Sequence, residues 1–200
     1  MSHKINDLVT LLEREFDADS IVHGDALSSR NSGYCEENHS AGILLLPQST
    51  ADVVRICEIA TKEGLSIVPH GGLTGLVEGT ASETGQLCVS FERMNKIIQV
   101  DPDQGIVVAE SGVVLQNLFE ATEPYGLMPG VDIPSRGTCM LGGLVSTNAG
   151  GVRVIRYGMM RENILGLEAV LANGQIIDAT NMLMKNNAGY DLKQLFIGSE

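Results

Sequence analysis

The sequence predicts an α+β protein in two lobes: a small strand–helix–strand lobe, then a larger mixed one, with a boundary near Asn95. Three observations carry this. Two apolar runs, 42–46 and 66–68, flank a segment with helical spacing. Two later stretches each read as paired strands around a turn, 101–105 and 172–174. No repeat or low-complexity linker interrupts the chain. The organisation expected is a helix and lead-in over 1–40, a first lobe over 41–95 and a second over 96–200.

Ile5, Leu8, Val9, Leu12 and Phe16 recur at helical spacing, so a helix is expected over 5–16. Residues 21–40 are polar and rich in Gly, Ser and Asn, and read as mostly loop. Gly42–Leu46 reads as a buried strand stopped by Pro47. Ser49 or Thr50 can cap a helix whose apolar face is Val53, Val54, Ile56, Cys57 and Ala60, ending at Gly64. Ser66–Val68 is a second strand, expected to stop at Pro69 and to run parallel to the first. A strand at 87–91, a hairpin over 97–109 and a helix over 113–122 follow. Residues 127–166 read as loop, 167–178 as a hairpin with Asn173-Gly174 in its turn, and 191–196 as a short helix.

Composition narrows the chemistry. Of 200 residues, 25 are Asp or Glu and 13 Lys or Arg, a formal net charge of −12. That balance disfavours nucleic acid and anionic membrane surfaces as partners, since both need clustered cations. No apolar run approaches the roughly 20 residues of a membrane helix, and no secretory signal is readable. Cys35, Cys57, Cys88 and Cys139 are widely spaced, and are read as reduced thiols of a cytoplasmic protein. The four histidines form no HxH or HxxxH pair, so no metal site is expected.

The glycines are uneven. Gly71, Gly72, Gly75 and Gly79 crowd one stretch; Gly130, Gly137, Gly142, Gly143, Gly150, Gly151 and Gly158 crowd another. Glycine lets backbone approach a ligand closely. Two such clusters in an acidic chain point to a large anionic ligand held by N–H groups and not by cationic side chains. No GxGxxG, GxxxxGK[ST] or GxSxG occurs.

The stretches PHGGLTGL (69–76), PSRGTCMLGGLVSTNAGGVRVIRYGMMRENILGLEAVLANG (134–174) and KNNAGYDLKQLFIGSE (185–200), with LLLPQSTADVVRI (44–56), occur in one order. In this the chain resembles the FAD-binding domain of the family of FAD-linked D-2-hydroxy-acid dehydrogenases and oxidases. Its fold is the PCMH type shared with vanillyl-alcohol oxidase. The resemblance implies that Pro69, His70, Gly71, Gly72, Leu73, Thr74, Gly75 and Leu76 form one pyrophosphate loop. Gly137, Thr138, Gly142, Gly143, Ser146, Thr147 and Asn148 line a second. It implies FAD held without a covalent bond, with His70 a loop residue. It also implies oxidation of a D-2-hydroxy acid (2-hydroxyglutarate, lactate or glycolate type) by hydride transfer to flavin N5, with an undefined electron acceptor.

Departures from the family pattern are Leu73 and Leu144, where Asn is usual, and Glu78, where Gly is usual. Arg136, Arg153, Arg156 and Arg161 could clamp a carboxylate, but salt bridging within the fold is the favoured reading. The family's substrate clamp and catalytic groups lie mainly in a C-terminal domain, so no catalytic residue is expected here. The sequence stops inside the motif that begins at Phe196, and a fragment is expected, inactive alone. The alternative function is an FAD-binding module with no activity of its own.

Overall fold

The computed structural model describes residues 2–200. The chain divides into two units: one runs to Met94 and includes Ala172–Gln175; the other holds Asn95–Leu171 and Ile176–Glu200.

In the first unit, helix α1 (Ser2–Leu12) precedes strand β1 (Ile21–His23) and the short helix α2 (Gly24–Ser28). Strand β2 (Ile43–Leu45), helix α3 (Thr50–Glu63), strand β3 (Ile67–His70) and strand β4 (Leu87–Ser90) follow. The sheet order is β1-β2-β4-β3. β2 and β3 both run parallel to β4, which lies between them, and β1 is antiparallel to β2.

Strand alternation explains why β2 is buried throughout. Ile43 and Leu45 face α1 and α3, packing with Val9, Leu12, Ile56, Ile59 and Ala60. Leu44 and Leu46 face the other way, with Leu27, Val68 and Cys88. Covering both faces makes a continuous apolar run the stable choice, each such side chain contributing roughly 1.5–3 kcal/mol. α3 has the ends its sequence specifies: Ser49 accepts a hydrogen bond from the Asp52 N–H, and Gly64 closes the helix at φ +67°.

Three expectations are corrected. Residues 21–40 are not mostly loop, because β1, α2 and a 3-10 turn at Glu36–His39 fall there. β1 has only three residues, too few for alternation to show. Pro69 does not end its strand: it sits within β3, in register with Val89. β3 is an edge strand, where a missing N–H costs no ladder bond. Residues 127–166 are not all loop, as the second unit shows.

That unit holds the hairpin of β5 (Ile97–Asp101) and β6 (Ile106–Ala109), then helix α4 (Leu115–Thr122). Three short helices follow: α5 (Leu141–Ser146), α6 (Val154–Tyr157) and α7 (Met160–Asn163). A second hairpin joins β7 (Glu168–Val170) to β8 (Ile176–Asp178), and a 3-10 turn spans Leu192–Leu195. Its core gathers Leu115, Val131, Cys139, Leu144 and Met160. α5 forms despite Gly142 and Gly143 because Leu144 anchors it there, and that burial outweighs the roughly 1 kcal/mol a helical glycine costs. The α+β class expected from sequence is the class of this chain.

Candidate functional site

The first glycine loop leaves the end of β3. His70 is in register with Ser90, and its ring turns inward, 1% exposed. Its Nε2 lies 3.0 Å from the Thr80 carbonyl, so that nitrogen carries the proton. Nδ1 is buried with no partner among the described residues. Burial holds the ring's pKa below the ordinary imidazole value, against the opposing effect of the Thr80 bond. The ring is therefore neutral at pH 7.

Beyond His70, side chains withdraw and backbone remains. Among the described residues, the N–H groups from Gly71 to Val77 donate to no other backbone or side-chain group. Gly75 has an ordinary φ, and a Cβ added to it would meet nothing within 4 Å. Neither conformation nor packing therefore demands glycine at 75, whereas a bulky ligand lying on the backbone would. Thr74 is half-buried, Leu76 is 84% exposed, and Glu78 is exposed in the 3-10 turn Glu78–Thr80.

Leu73 is bent to φ +51°. For a side chain with a Cβ this costs roughly 1–2 kcal/mol. Leu73→Asn is expected to raise stability by about 0.5–1 kcal/mol, because Asn tolerates this region far better. In a chain of this size that is about 1–4 °C in a thermal melt. An unchanged or lowered melting temperature would show that Leu73's packing outweighs its strain.

The second glycine stretch is more occupied by its own fold. Thr138 and Cys139 both donate their N–H groups to the Ser135 carbonyl, at 2.8 and 2.9 Å. Gly142 N–H donates to the Ser111 carbonyl at 2.7 Å, and a Cβ there would stand 3.0 Å from Ser111 Cβ. The Thr147 hydroxyl donates back to the Gly143 carbonyl at 2.8 Å. The Ser146 carbonyl accepts from Glu200 N–H at 3.1 Å. Asn148, at φ +49°, accepts from Arg161 N–H at 2.9 Å through its Oδ1. Gly137 and Gly143 differ: both have ordinary φ, and a Cβ on either would meet nothing within 4 Å. Thr138 beside Gly137 is exposed. Leu144, where the family pattern has a polar residue, is 4% exposed in the core. Its identity is a packing matter.

The arginines serve the fold. Arg136 and Arg153 both pair with Asp132, at 3.5 and 3.3 Å, and both stand over the Phe119 ring. Arg161 donates to the Gln194 carbonyl at 3.0 Å and to the Ile197 carbonyl. Arg156 stands over the Tyr157 ring. No group of His, Cys, Asp and Glu among the described residues could hold a metal ion. No helix among them is long and apolar enough to cross a membrane.

A strand-borne glycine loop with unengaged N–H groups and an unhindered glycine is what a dinucleotide's diphosphate needs. The residues present thus fit FAD. The chain belongs to the FAD binding domain family, which matches residues 41–180.

Among curated relatives, the mitochondrial D-2-hydroxyglutarate dehydrogenase of Arabidopsis thaliana is 45% identical over 161 residues, 80% of this chain and 29% of that one. That of Danio rerio is 40% identical over 182 residues, 90% of this chain and 34% of its own. The D-2-hydroxyglutarate–pyruvate transhydrogenase of Saccharomyces cerevisiae is 40% identical over 91% of this chain and 38% of its length. The chain thus spans about a third of the length of these relatives. Two solved structures share the fold. Alkyldihydroxyacetonephosphate synthase has a TM-score of 0.80 at 22% identity, over 97% of this chain and 40% of that one. The 6-hydroxy-D-nicotine oxidase of Arthrobacter nicotinovorans has a TM-score of 0.68 at 22% identity, over 78% and 34%.

The cytoplasmic expectation is corrected: the plant and fish relatives are named as mitochondrial proteins, which points away from the cytoplasm. No disulfide joins Cys35, Cys57, Cys88 and Cys139 among the described residues.

Proposed function

We propose that this chain is the FAD-holding part of a flavin-dependent dehydrogenase whose substrate is a D-2-hydroxy acid of the 2-hydroxyglutarate class. The observation that carries the cofactor assignment is the run of unengaged N–H groups from Gly71 to Val77 around an unhindered Gly75. Gly71, Gly72, Thr74 and Gly75 present those donors to the diphosphate, and Pro69, Leu73 and Leu76 shape the loop. In the second stretch Gly137, Thr138 and Gly143 are the residues left open to a ligand. Gly142, Ser146, Thr147 and Asn148 hold that stretch in shape. When bound, FAD supplies the acceptor for the hydride leaving the substrate's α-carbon.

His70 contributes through its backbone. Its ring is turned into the protein and engaged with Thr80, which supports a cofactor held without a bond to His70. The substrate class rests on the names of the curated relatives, proteins about three times as long. Binding of the hydroxy acid and the path to an electron acceptor belong to the rest of such a protein.

The test is to add FAD to the purified chain, wash it out, and record the spectrum. Retained oxidised-flavin absorbance is expected. A folded, colourless chain would overturn the cofactor assignment. A full-length relative carrying this chain in place of its own matching segment then tests whether the flavin held here is competent for that dehydrogenase chemistry. Bleaching of its flavin by D-2-hydroxyglutarate and not by the L-enantiomer is expected; a flavin-loaded chimera indifferent to both would overturn the dehydrogenase reading and leave the FAD assignment standing.

A further inference from the structure

We propose that the segment Asn31–Ser40, which lies ahead of the family match, is the seat that holds the first glycine loop in its ligand-ready shape, with Gly33 as its positioning residue. The proposal rests on the FAD reading of that loop.

Three contacts define the seat. Gly33 stands at φ +73°, its N–H bonded to Asn31 Oδ1 at 2.9 Å. A Cβ on it would overlap the Leu73 carbonyl oxygen and come within 2.9 Å of Leu73 Cβ. The bare α-carbon of Gly33 therefore lies directly against the one loop residue bent into a left-handed conformation. Asn38, 1% exposed, donates from Nδ2 to the Ser32 carbonyl at 2.7 Å and so fixes the Gly33 turn from behind. Ser82, just past the loop, shares its hydroxyl proton between the Glu37 and Asn38 carbonyls at 3.1 and 3.0 Å, and accepts from Ala41 N–H at 3.0 Å.

The loop is thus closed at its neck by the His70–Thr80 bond, tied at its exit by Ser82, and pressed at Leu73 by Gly33. A strained residue persists only where its surroundings over-determine it. Here those surroundings are the seat. Without it, Leu73 would relax, and the N–H groups from Gly71 to Val77 would lose their fixed arrangement. Ordering them beforehand is what lets backbone alone grip an anion without first losing entropy.

Gly33→Ala tests this, with Gly24→Ala as the matched control. Gly24 has φ +58°, yet a Cβ on it would meet nothing within 4 Å, so it carries the backbone strain without the contact. Two readouts are compared: the dissociation constant for FAD, and hydrogen exchange in the FAD-free chain at the bonded amides that tie the loop down, Ser82 (to the Glu37 carbonyl) and Phe91 (to the His70 carbonyl). Gly33→Ala is expected to weaken FAD at least tenfold and to speed exchange at those amides, with α3 still protected. Gly24→Ala is expected to change neither. Equal behaviour of the two variants would overturn the seat. If the parent chain itself retains no FAD, the flavin reading fails separately, and exchange alone decides: faster exchange in Gly33→Ala only supports the seat, equal exchange overturns it. Should Gly33→Ala not fold, Ser82→Ala takes its place with the same expectations and the same overturning result.

Discussion

A Gly75→Glu chain is expected to fold as its parent does and to hold no flavin. The two halves of that expectation have different causes. Gly75 has an ordinary φ, and a Cβ there would meet nothing within 4 Å, so the fold has no objection to a side chain. Replacing such a glycine restricts the unfolded chain and by itself stabilises by roughly 0.4–1 kcal/mol. The ligand has every objection. From residue 63 to residue 92 the sequence has no lysine or arginine, so backbone N–H groups are all that this loop offers against phosphate charge. A carboxylate about 5 Å from one phosphate charge costs roughly 3 kcal/mol at an effective dielectric of 20. That is more than a hundredfold in affinity. Thermal melting followed by circular dichroism and a titration with FAD read the two halves separately. Gly75→Ala, which adds bulk without charge, should melt no lower than the parent and bind FAD measurably more weakly. A Gly75→Glu chain that stays yellow after washing would remove the first loop from the cofactor site.

Much of this was legible in sequence where a local rule had one outcome. Ser49 before an apolar helical face, with Gly64 after it, admits a helix and little else, and α3 has those ends. Asn173-Gly174 between two apolar runs admits a tight turn, and Gly174 takes φ +82° in it. The buried run at 43–45 is a strand because both its faces are covered. Legibility ended where the deciding interaction is between residues far apart in the chain. β1 exists because β2 needs an antiparallel neighbour, and nothing within 21–23 declares it. Pro69 is tolerated because β3 lies at an edge, a property of the sheet order. Leu144 reads as a lost polar contact by family pattern and is a core residue in space. The two glycine clusters were visible as clusters, but the reason for each glycine was not. Gly75, Gly137 and Gly143 face open space, Gly142 packs on Ser111, and Gly33, unremarkable in a polar stretch, abuts Leu73. The sequence spells all five alike.

Gly151→Ala should separate the glycines that packing requires from the unhindered ones most sharply. Gly151 adopts φ +104°, which residues with a Cβ rarely enter. A Cβ there would also overlap the Asp132 carbonyl oxygen and stand 2.7 Å from Ile133 Cγ2. This is a crossing of backbone on backbone: Asp132 and Gly151 form a parallel bridge, and Val152 N–H donates to the Asp132 carbonyl at 2.9 Å. No rotamer change can relieve it, so one strand of chain must move. Asp132 cannot move alone, because its carboxylate is shared by Arg136 and Arg153, whose guanidinium groups lie 4.7 and 5.6 Å from the centre of the Phe119 ring. Those pairs are partly exposed and individually worth no more than about 1 kcal/mol. Together with the strained φ, the lost bridge bonds and the shift imposed on buried Val131, a loss of about 3–5 kcal/mol is expected. For a chain of this size that is roughly 10 °C or more in melting temperature. Gly75→Ala, measured beside it, should not fall and should rise by about 1–4 °C. If Gly151→Ala melts within two degrees of the parent, space around a glycine does not sort these positions by purpose, and the argument from Gly75 to the cofactor loses its footing along with it.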